Sequence, residues 1–322
     1  MKTNNSIIKN GCVTVLFFVF SISNLVAQND TLYIMKQGTV WGKFRISEID
    51  SMIFYQPQIS PNITIDITTV DIPAGTFTMG SPITEVNRAT TEIEHQVTLS
   101  AFRMSKYEIT NTQYADFLNA INIGSDGLYA GGAYPTEALV YENSWGLQYV
   151  VNQWIPASGY ENHPVVNVSW YGATEFASYV GGTLPTEAQW EYAARGGTST
   201  AFNTGTCLSD TQANYNWEFP QSGCSNVNPS YPNTTQVVGS YAANAFGLHD
   251  MHGNVIEFCS DFYGPYTTTP QTDPTGPLTG SDRVLRGGAW SNKAELCRSA
   301  HRLNAPPEIH SSGFGFRIVL PQ

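Results

Sequence analysis

An α+β fold with little regular structure is what this sequence predicts. Three short segments carry helical periodicity with capping residues at their starts. Between them lie runs of strand-like alternation, and 28 glycines and 18 prolines punctuate the whole chain. Taken in order, Thr31-Leu32-Tyr33-Ile34-Met35 and Ser51-Met52-Ile53-Phe54-Tyr55 alternate as strands, with Gly38 in the turn region between them. Pro57, Pro61 and Asn62 mark a linker, after which Ile63 to Val70 leads into a larger domain. Thr110-Asn111 caps a helix whose Tyr114, Phe117 and Leu118 share one face. Ser169 precedes a second, with Ala173, Phe176, Ala177 and Val180, stopped by Gly181-Gly182. Thr186 and Gln189 form a capping-box pattern for a third, Ala188 to Arg195, ended by Gly196-Gly197. Residues 121–162 and 198–236 show little periodicity and read as loops.

The first 27 residues read as a leader. Lys2 and Lys9 give a basic start, Val13 to Phe20 an apolar stretch and Ser21 to Ala27 a small-residue cleavage region. The expected division is a signal peptide over 1–27, a short β module with linker over 28–66, and one large domain over 67–322. The expected destination is secreted, periplasmic or cell-surface. No later segment is long and apolar enough to span a membrane. A net charge of −11 with only 15 lysines and arginines argues against nucleic acid, whose phosphates need clustered cations. Charged residues make up 13% of the chain and aromatics 12%, which suits recognition of carbohydrate or protein.

A series of motifs then runs through the large domain: Ile72-Pro73-Ala74-Gly75-Thr76-Phe77-Thr78-Met79-Gly80, Lys106-Tyr107-Glu108-Ile109-Thr110-Asn111, His163-Pro164-Val165-Val166-Asn167-Val168-Ser169-Trp170, Leu184-Pro185-Thr186-Glu187 through Gly197, Gly253-Asn254-Val255-Ile256-Glu257, Arg286-Gly287-Gly288-Ala289-Trp290, Cys297-Arg298-Ser299-Ala300-His301-Arg302 and Gly313-Phe314-Gly315-Phe316-Arg317. In this order, over roughly residues 70–320, they resemble the sulfatase-modifying-factor, or formylglycine-generating-enzyme-like, family. That resemblance implies an elaborated C-type lectin fold. The N-terminal alternation resembles a short module of secreted Bacteroidetes proteins.

The family's oxidases bind copper(I) through two cysteines after the Gly-Gly-(Ser/Ala)-aromatic motif. Here that segment is Ser291-Asn292-Lys293-Ala294-Glu295-Leu296, without a thiol. One thiolate, Cys297, cannot make a two-thiolate site, so the resemblance implies a scaffold without that oxidase chemistry. The iron-binding histidines of the sulfoxide-synthase relatives are missing as well. No catalytic residue is therefore assigned.

The resemblance also implies calcium, held by the carbonyls of His252, Gly253 and Val255 and the carboxylate of Glu257, with Asn214 belonging to a second, incomplete site. Of five cysteines, Cys12 falls in the leader, and the remaining four allow three pairings. Motifs that lie side by side in the family's core imply Cys259–Cys297, and Cys207–Cys224 brackets an irregular segment.

The alternation of fixed and free positions after the Gly-Gly motif resembles the variable proteins of diversity-generating retroelements. It marks Trp290, Ser291, Asn292, Lys293, Glu295, Leu303, Asn304, Glu308 and His310 as a ligand-binding set. Lys293, Glu295 and Glu308 cannot arise from adenine substitution in AAY asparagine codons, which argues against active diversification. The expected function is an exported, non-catalytic protein that binds a surface glycan or protein. The alternatives are a formylglycine-generating oxidase or other metalloenzyme, and a structural component of a surface assembly.

Overall fold

The computed structural model describes the backbone of four strands between residues 13 and 45, and residues 65–322 in full. The chain divides into two units, residues 1–59 and 60–322. In the first, β1 (Val13–Leu16), β2 (Ser23–Gln28), β3 (Thr31–Lys36) and β4 (Thr39–Arg45) pair antiparallel in sequential order. The expected strand at 31–35 is present as β3, whereas 51–55 lies outside the described residues.

The second unit begins with β5 (Thr69–Ile72), β6 (Gly75–Met79), β7 (His95–Leu99) and β8 (Phe102–Ser105), followed by α1 (Asn111–Ala120) and the hairpin β9 (Leu147–Val150) and β10 (Gln153–Pro156). Helices α2 (Trp170–Tyr179) and α3 (Glu187–Arg195) come next. The remainder holds β11 (Ile256–Phe262), β12 (Gln271–Thr272), β13 (Arg283–Arg286), a 3-10 turn at Ala294–Cys297, β14 (Leu303–Ala305), β15 (Phe314–Gly315) and β16 (Val319–Leu320). These strands form small sheets ordered β16-β8-β5, β12-β7-β6 and β14-β13-β11-β15, besides the β9–β10 hairpin.

The helix signals behave as local chemistry dictates. Thr110 and Thr186 each accept from the backbone N–H three residues on, while Gln113 and Gln189 reach back to the cap's own N–H, closing two capping boxes. Ser169 caps α2 through Gly172 N. Gly196 ends α3 in the left-handed region, where a side chain would be strained. Helices α1 and α2 pack Tyr114, Phe117 and Phe176 against Phe316 and Phe258 in one core. That packing needs Gly172, because a Cβ there would sit 2.1 Å from the Leu139 carbonyl oxygen. A second core joins α3 to β5, β6, β7 and β8, and a third, smaller one gathers Phe202, Leu208, Tyr215 and Cys297.

A charged interior behind the motif segment

Helix α3 turns Glu187, Trp190 and Glu191 toward the β11–β13 sheet, the spacing that puts three residues on one helical face. On that sheet Glu257 and Arg286 are directly opposed across the β11–β13 ladder. Arg286, with no exposed surface, donates through Nη2 to Glu191 Oε2 at 2.5 Å and through Nη1 to Glu187 Oε1 at 3.3 Å. Arg195 closes on Glu191 Oε1 from Nη2 at 2.8 Å, and Arg302 grips both oxygens of Glu187 at 2.6 and 2.7 Å. Arg298 pairs with Glu92 and Glu85. Arg317 clasps Glu257 by Nε–Oε2 at 2.7 Å and Nη2–Oε1 at 2.8 Å. Every one of these guanidiniums is buried and paired, which makes the arginines of the motifs part of the frame.

Candidate functional site

The loop before β11 is built on left-handed residues. Asp250 (φ 58°), Gly253 (φ 82°) and Asn254 (φ 62°) turn the chain tightly, and a Cβ on Gly253 would lie 2.2 Å from the Asn214 carbonyl oxygen. Asn254 Nδ2 donates to Glu108 Oε1 at 2.9 Å, and its Oδ1 accepts from Asn214 Nδ2 at 3.1 Å. Asn214 and the Glu257 loop, expected as two separate calcium sites, are thus joined through Asn254, a residue the sequence reading passed over.

Glu257 is not a free ligand. Its Oε2 accepts from Trp190 Nε1 at 2.7 Å as well as from Arg317, so both oxygens are committed to protein donors. A cation held by the Glu257 carboxylate would share its oxygens with these donors. Other oxygens lie beside it: Glu108 Oε2, Asp250 Oδ1 and Asn214 Oδ1 are buried and accept from no N–H or hydroxyl donor, while the Glu108 and Asp250 carboxyls are close enough to share a proton. Burial, reinforced on Glu108 by the charge of Asp250, pushes both carboxyls above the usual range. Buried oxygens in that state suit either a retained proton or a hard cation. Among the described residues no group of three His, Cys, Asp or Glu side chains is placed to hold a metal, so any calcium here would depend on carbonyls such as those of His252, Gly253 and Val255.

The His252 ring is occupied. Asn203 N donates to its Nε2 at 3.0 Å, so its Nδ1 carries the proton, given to the Cys297 carbonyl at 2.8 Å. Burial lowers its pKa to about 4 and keeps it neutral.

The cysteines answer the expected pairings differently. Cys207 and Cys224 are bonded, with Cα atoms 5.9 Å apart. Cys259 and Cys297 are both free, and the expected Cys259–Cys297 bridge is corrected. Cys259 packs in the α3 core and Cys297 in the Phe202 cluster, so strand adjacency of their motifs does not bring the sulfurs together. Burial drives the Cys297 thiol up to about 12 and raises that of Cys259. Neither is a thiolate at neutral pH.

The nine residues expected to bind ligand divide between structural and exposed roles. Asn292 turns inward: its Oδ1 accepts from Ala289 N at 2.9 Å and its carbonyl from Asn216 N at 2.8 Å. Glu295 accepts from Asn87 Nδ2 at 2.7 Å, and Lys293 sits over the Phe219 ring at 5.3 Å. Leu303 packs on the main core, and Asn304 donates to Asp282. Ser291, Lys293, Asn304, Glu308 and His310 are exposed.

Trp290 is half-buried, its indole N–H donated to the Ser312 carbonyl at 3.1 Å. Its ring lies 5.5 Å from Trp145, and His310 stacks on Tyr141 at 3.6 Å. Tyr141 and Trp145 carry no periodic signal and lie just before β9, in the stretch 121–162, which is expected as loop but holds the β9–β10 hairpin. Tyr141 is held here by Tyr141 N–Asn167 O and Asn167 N–Ser311 O hydrogen bonds, both 3.0 Å, and Trp145 N donates to Asn143 Oδ1 at 3.2 Å.

Residues 56–321 match the family described as the sulfatase-modifying factor enzyme 1-like domain. The formylglycine-generating enzyme of Streptomyces coelicolor is 34% identical over 286 residues, covering 78% of this chain and 88% of that protein. The serine/threonine-protein kinase pkn1 of Chlamydia caviae is 35% identical over 230 residues, 70% of this chain; the chain spans about a third of that protein, 34%. Among solved structures, PvdO from Pseudomonas aeruginosa superposes with a TM-score of 0.58 at 26% identity, covering 79% of this chain and 94% of that one. Treponema denticola variable protein 1 shares the fold, with a TM-score of 0.56 at 23% identity over 80% of this chain and 95% of that one. With the motifs, the fold and these likenesses together, the chain belongs to the sulfatase-modifying factor enzyme 1-like domain family and has its C-type-lectin-like fold.

Proposed function

We propose that the protein is an exported, non-catalytic ligand-binding member of this family, and that the segment from Trp290 to Ser312 supplies its contact surface. The observation that carries this reading is the state of Cys297. It is a buried thiol pushed up to about 12, its Sγ directed at the Lys293 carbonyl at 3.7 Å, with no cysteine in the residues between it and Trp290. A copper(I) oxidase needs two accessible thiolates. The test is copper(I) titration of the mature protein and incubation with a Cys-x-Pro-x-Arg peptide. No tight copper and no formylglycine are expected, and stoichiometric copper with turnover would overturn the reading. The oxidase alternative is favoured by the likeness to formylglycine-generating enzymes along most of their length, and the same experiment decides it. Export rests on the leader-like first 27 residues, and the N-terminal sequence of the protein recovered from outside the cytoplasm tests it.

Calcium belongs to the same proposal as a structural ion. The Glu257 carboxylate and the carbonyls of His252, Gly253 and Val255, with the neighbouring oxygens of Glu108 and Asp250, would hold it, and its charge would fix the loop behind the face. An ion bound only by the folded state raises the melting temperature by mass action. Chelator should lower it, and a melting curve indifferent to both chelator and added calcium would remove the ion from the proposal.

A further inference from the structure

We infer that the ligand is a neutral oligosaccharide, stacked on the aromatic surface that Tyr141, Trp145, Trp290 and His310 build around the 310–312 segment; this rests on the contact-surface reading above. Each ring pair joins one residue of the 141–145 loop to one of the C-terminal segment, and backbone bonds through Asn167 and Ser311 fix the two together. The rings are therefore preorganised, and a ligand meeting them orders little.

Chemistry narrows the occupant. Trp290 has spent its indole N–H on Ser312, so it offers a ring face instead of a donor. The Tyr141–His310 stack is nearly parallel, with 19° between planes, and Tyr141 is 38% exposed. Partial desolvation lowers the His310 imidazole below its usual value, which favours the neutral form of the stack. Flat aromatic faces match the C–H faces of pyranose rings. The exposed polar residues of the same segments include Glu142, Ser291, Lys293 and Glu308, which can bond sugar hydroxyls. Two carboxylates against one lysine on these segments, on a chain of net charge −11, disfavour sulfated, sialylated or uronic glycans and leave a neutral one.

The test is a glycan array followed by calorimetry of the full chain with neutral hexose oligomers, set against sulfated and sialylated ones, on wild type and on Trp145→Ala, Tyr141→Ala and Trp145→Phe. Neutral oligomers should bind and perturb tryptophan fluorescence. Each alanine variant should weaken binding by about tenfold, the effect of losing one aromatic contact, and Trp145→Phe should restore most of it. Unchanged melting temperatures show that the variants fold. Preference for anionic glycans, or no glycan binding at all, overturns the inference. If the chain binds a purified protein instead and loses it on Trp145→Ala, the glycan inference fails while the contact-surface reading stands. Binding of any ligand indifferent to all three variants and to Ser291→Arg overturns both.

Discussion

The segment from Arg286 to Arg302 serves two regions at once, and they are built on opposite chemistry. Inward, Arg286, Arg298 and Arg302 carry full charges into sites with 0 to 6% exposure and pair there with Glu191, Glu92 and Glu187. Outward, Trp290, Ser291 and Lys293 leave half-buried or exposed side chains with few fixed partners. The inner region tolerates no unpaired member, because a lone buried charge is costly, whereas the outer one can change residue type without leaving a charge stranded. A segment that combines the two can vary its surface while its backbone stays fixed.

The sharpest way to break that contrast is Glu191→Gln. It leaves Arg286 with only the longer 3.3 Å pairing to Glu187 and takes the charge from Arg195's carboxylate partner while keeping shape, and should cost about 3 kcal/mol in denaturant unfolding. A loss under 1 kcal/mol would mean that the inner charges are not the frame. The intact pair is not itself evidence of stability, since desolvating both ions offsets much of their attraction.

Next comes the Cys207–Cys224 bridge, which closes a separation of 17 residues in a segment with little regular structure. Cys207→Ser with Cys224→Ser should lose about 3 kcal/mol by freeing the unfolded chain. Cys259→Ala, in a packed core with no bond to lose, should cost about 1 kcal/mol. Equal losses, or a Cys259–Cys297 peptide in non-reducing mapping, would contradict the structure.

These cysteines also show what the sequence could and could not disclose. The capping boxes at Thr110 and Thr186 were legible because side chain and backbone partner sit three residues apart. The fold was legible because its motifs recur in order. The free thiols were not, since two adjacent motifs direct their cysteines into different cores. Nor was the partner of Glu257, because Arg317 lies 60 residues downstream. Tyr141 and Trp145 were missed for the same reason: a stretch without periodicity is positioned by the Tyr141–Asn167–Ser311 backbone bonds and the Trp145–Trp290 ring contact, and no local pattern records them.

The next effect is one of pH, at Asp261, whose carboxyl burial pushes up to about 7, reinforced by Glu187 and opposed by its bond from Glu187 N. A raised folded pKa means that folding takes up a proton between the unfolded value, 3.8, and about 7. Stability from this group is full below that window and falls as pH rises through it, by about 1.4 kcal/mol per pH unit at most. Asp261→Asn cannot titrate and should flatten that slope in melts from pH 4.5 to 7.5. An unchanged slope would assign it to other groups.

The smallest expected effect is at the outer face, and it bears most directly on the contrast. Ser291 is exposed, and Lys293 has only a cation–π contact with Phe219 at 5.3 Å. Neither fills a core nor neutralises a buried ion, so Ser291→Ala with Lys293→Ala should change unfolding free energy by no more than about 0.5–1 kcal/mol. Asn292→Ala, one residue between them, removes the acceptor for Ala289 N and should cost more, about 1–2 kcal/mol, despite its place among residues that look free to vary. If the triplet instead responds uniformly, the division of this segment into frame and face has no energetic basis. If Asn292 stands apart from its neighbours, the boundary between the two regions runs through single residues, set by where each side chain finds its hydrogen-bond partner.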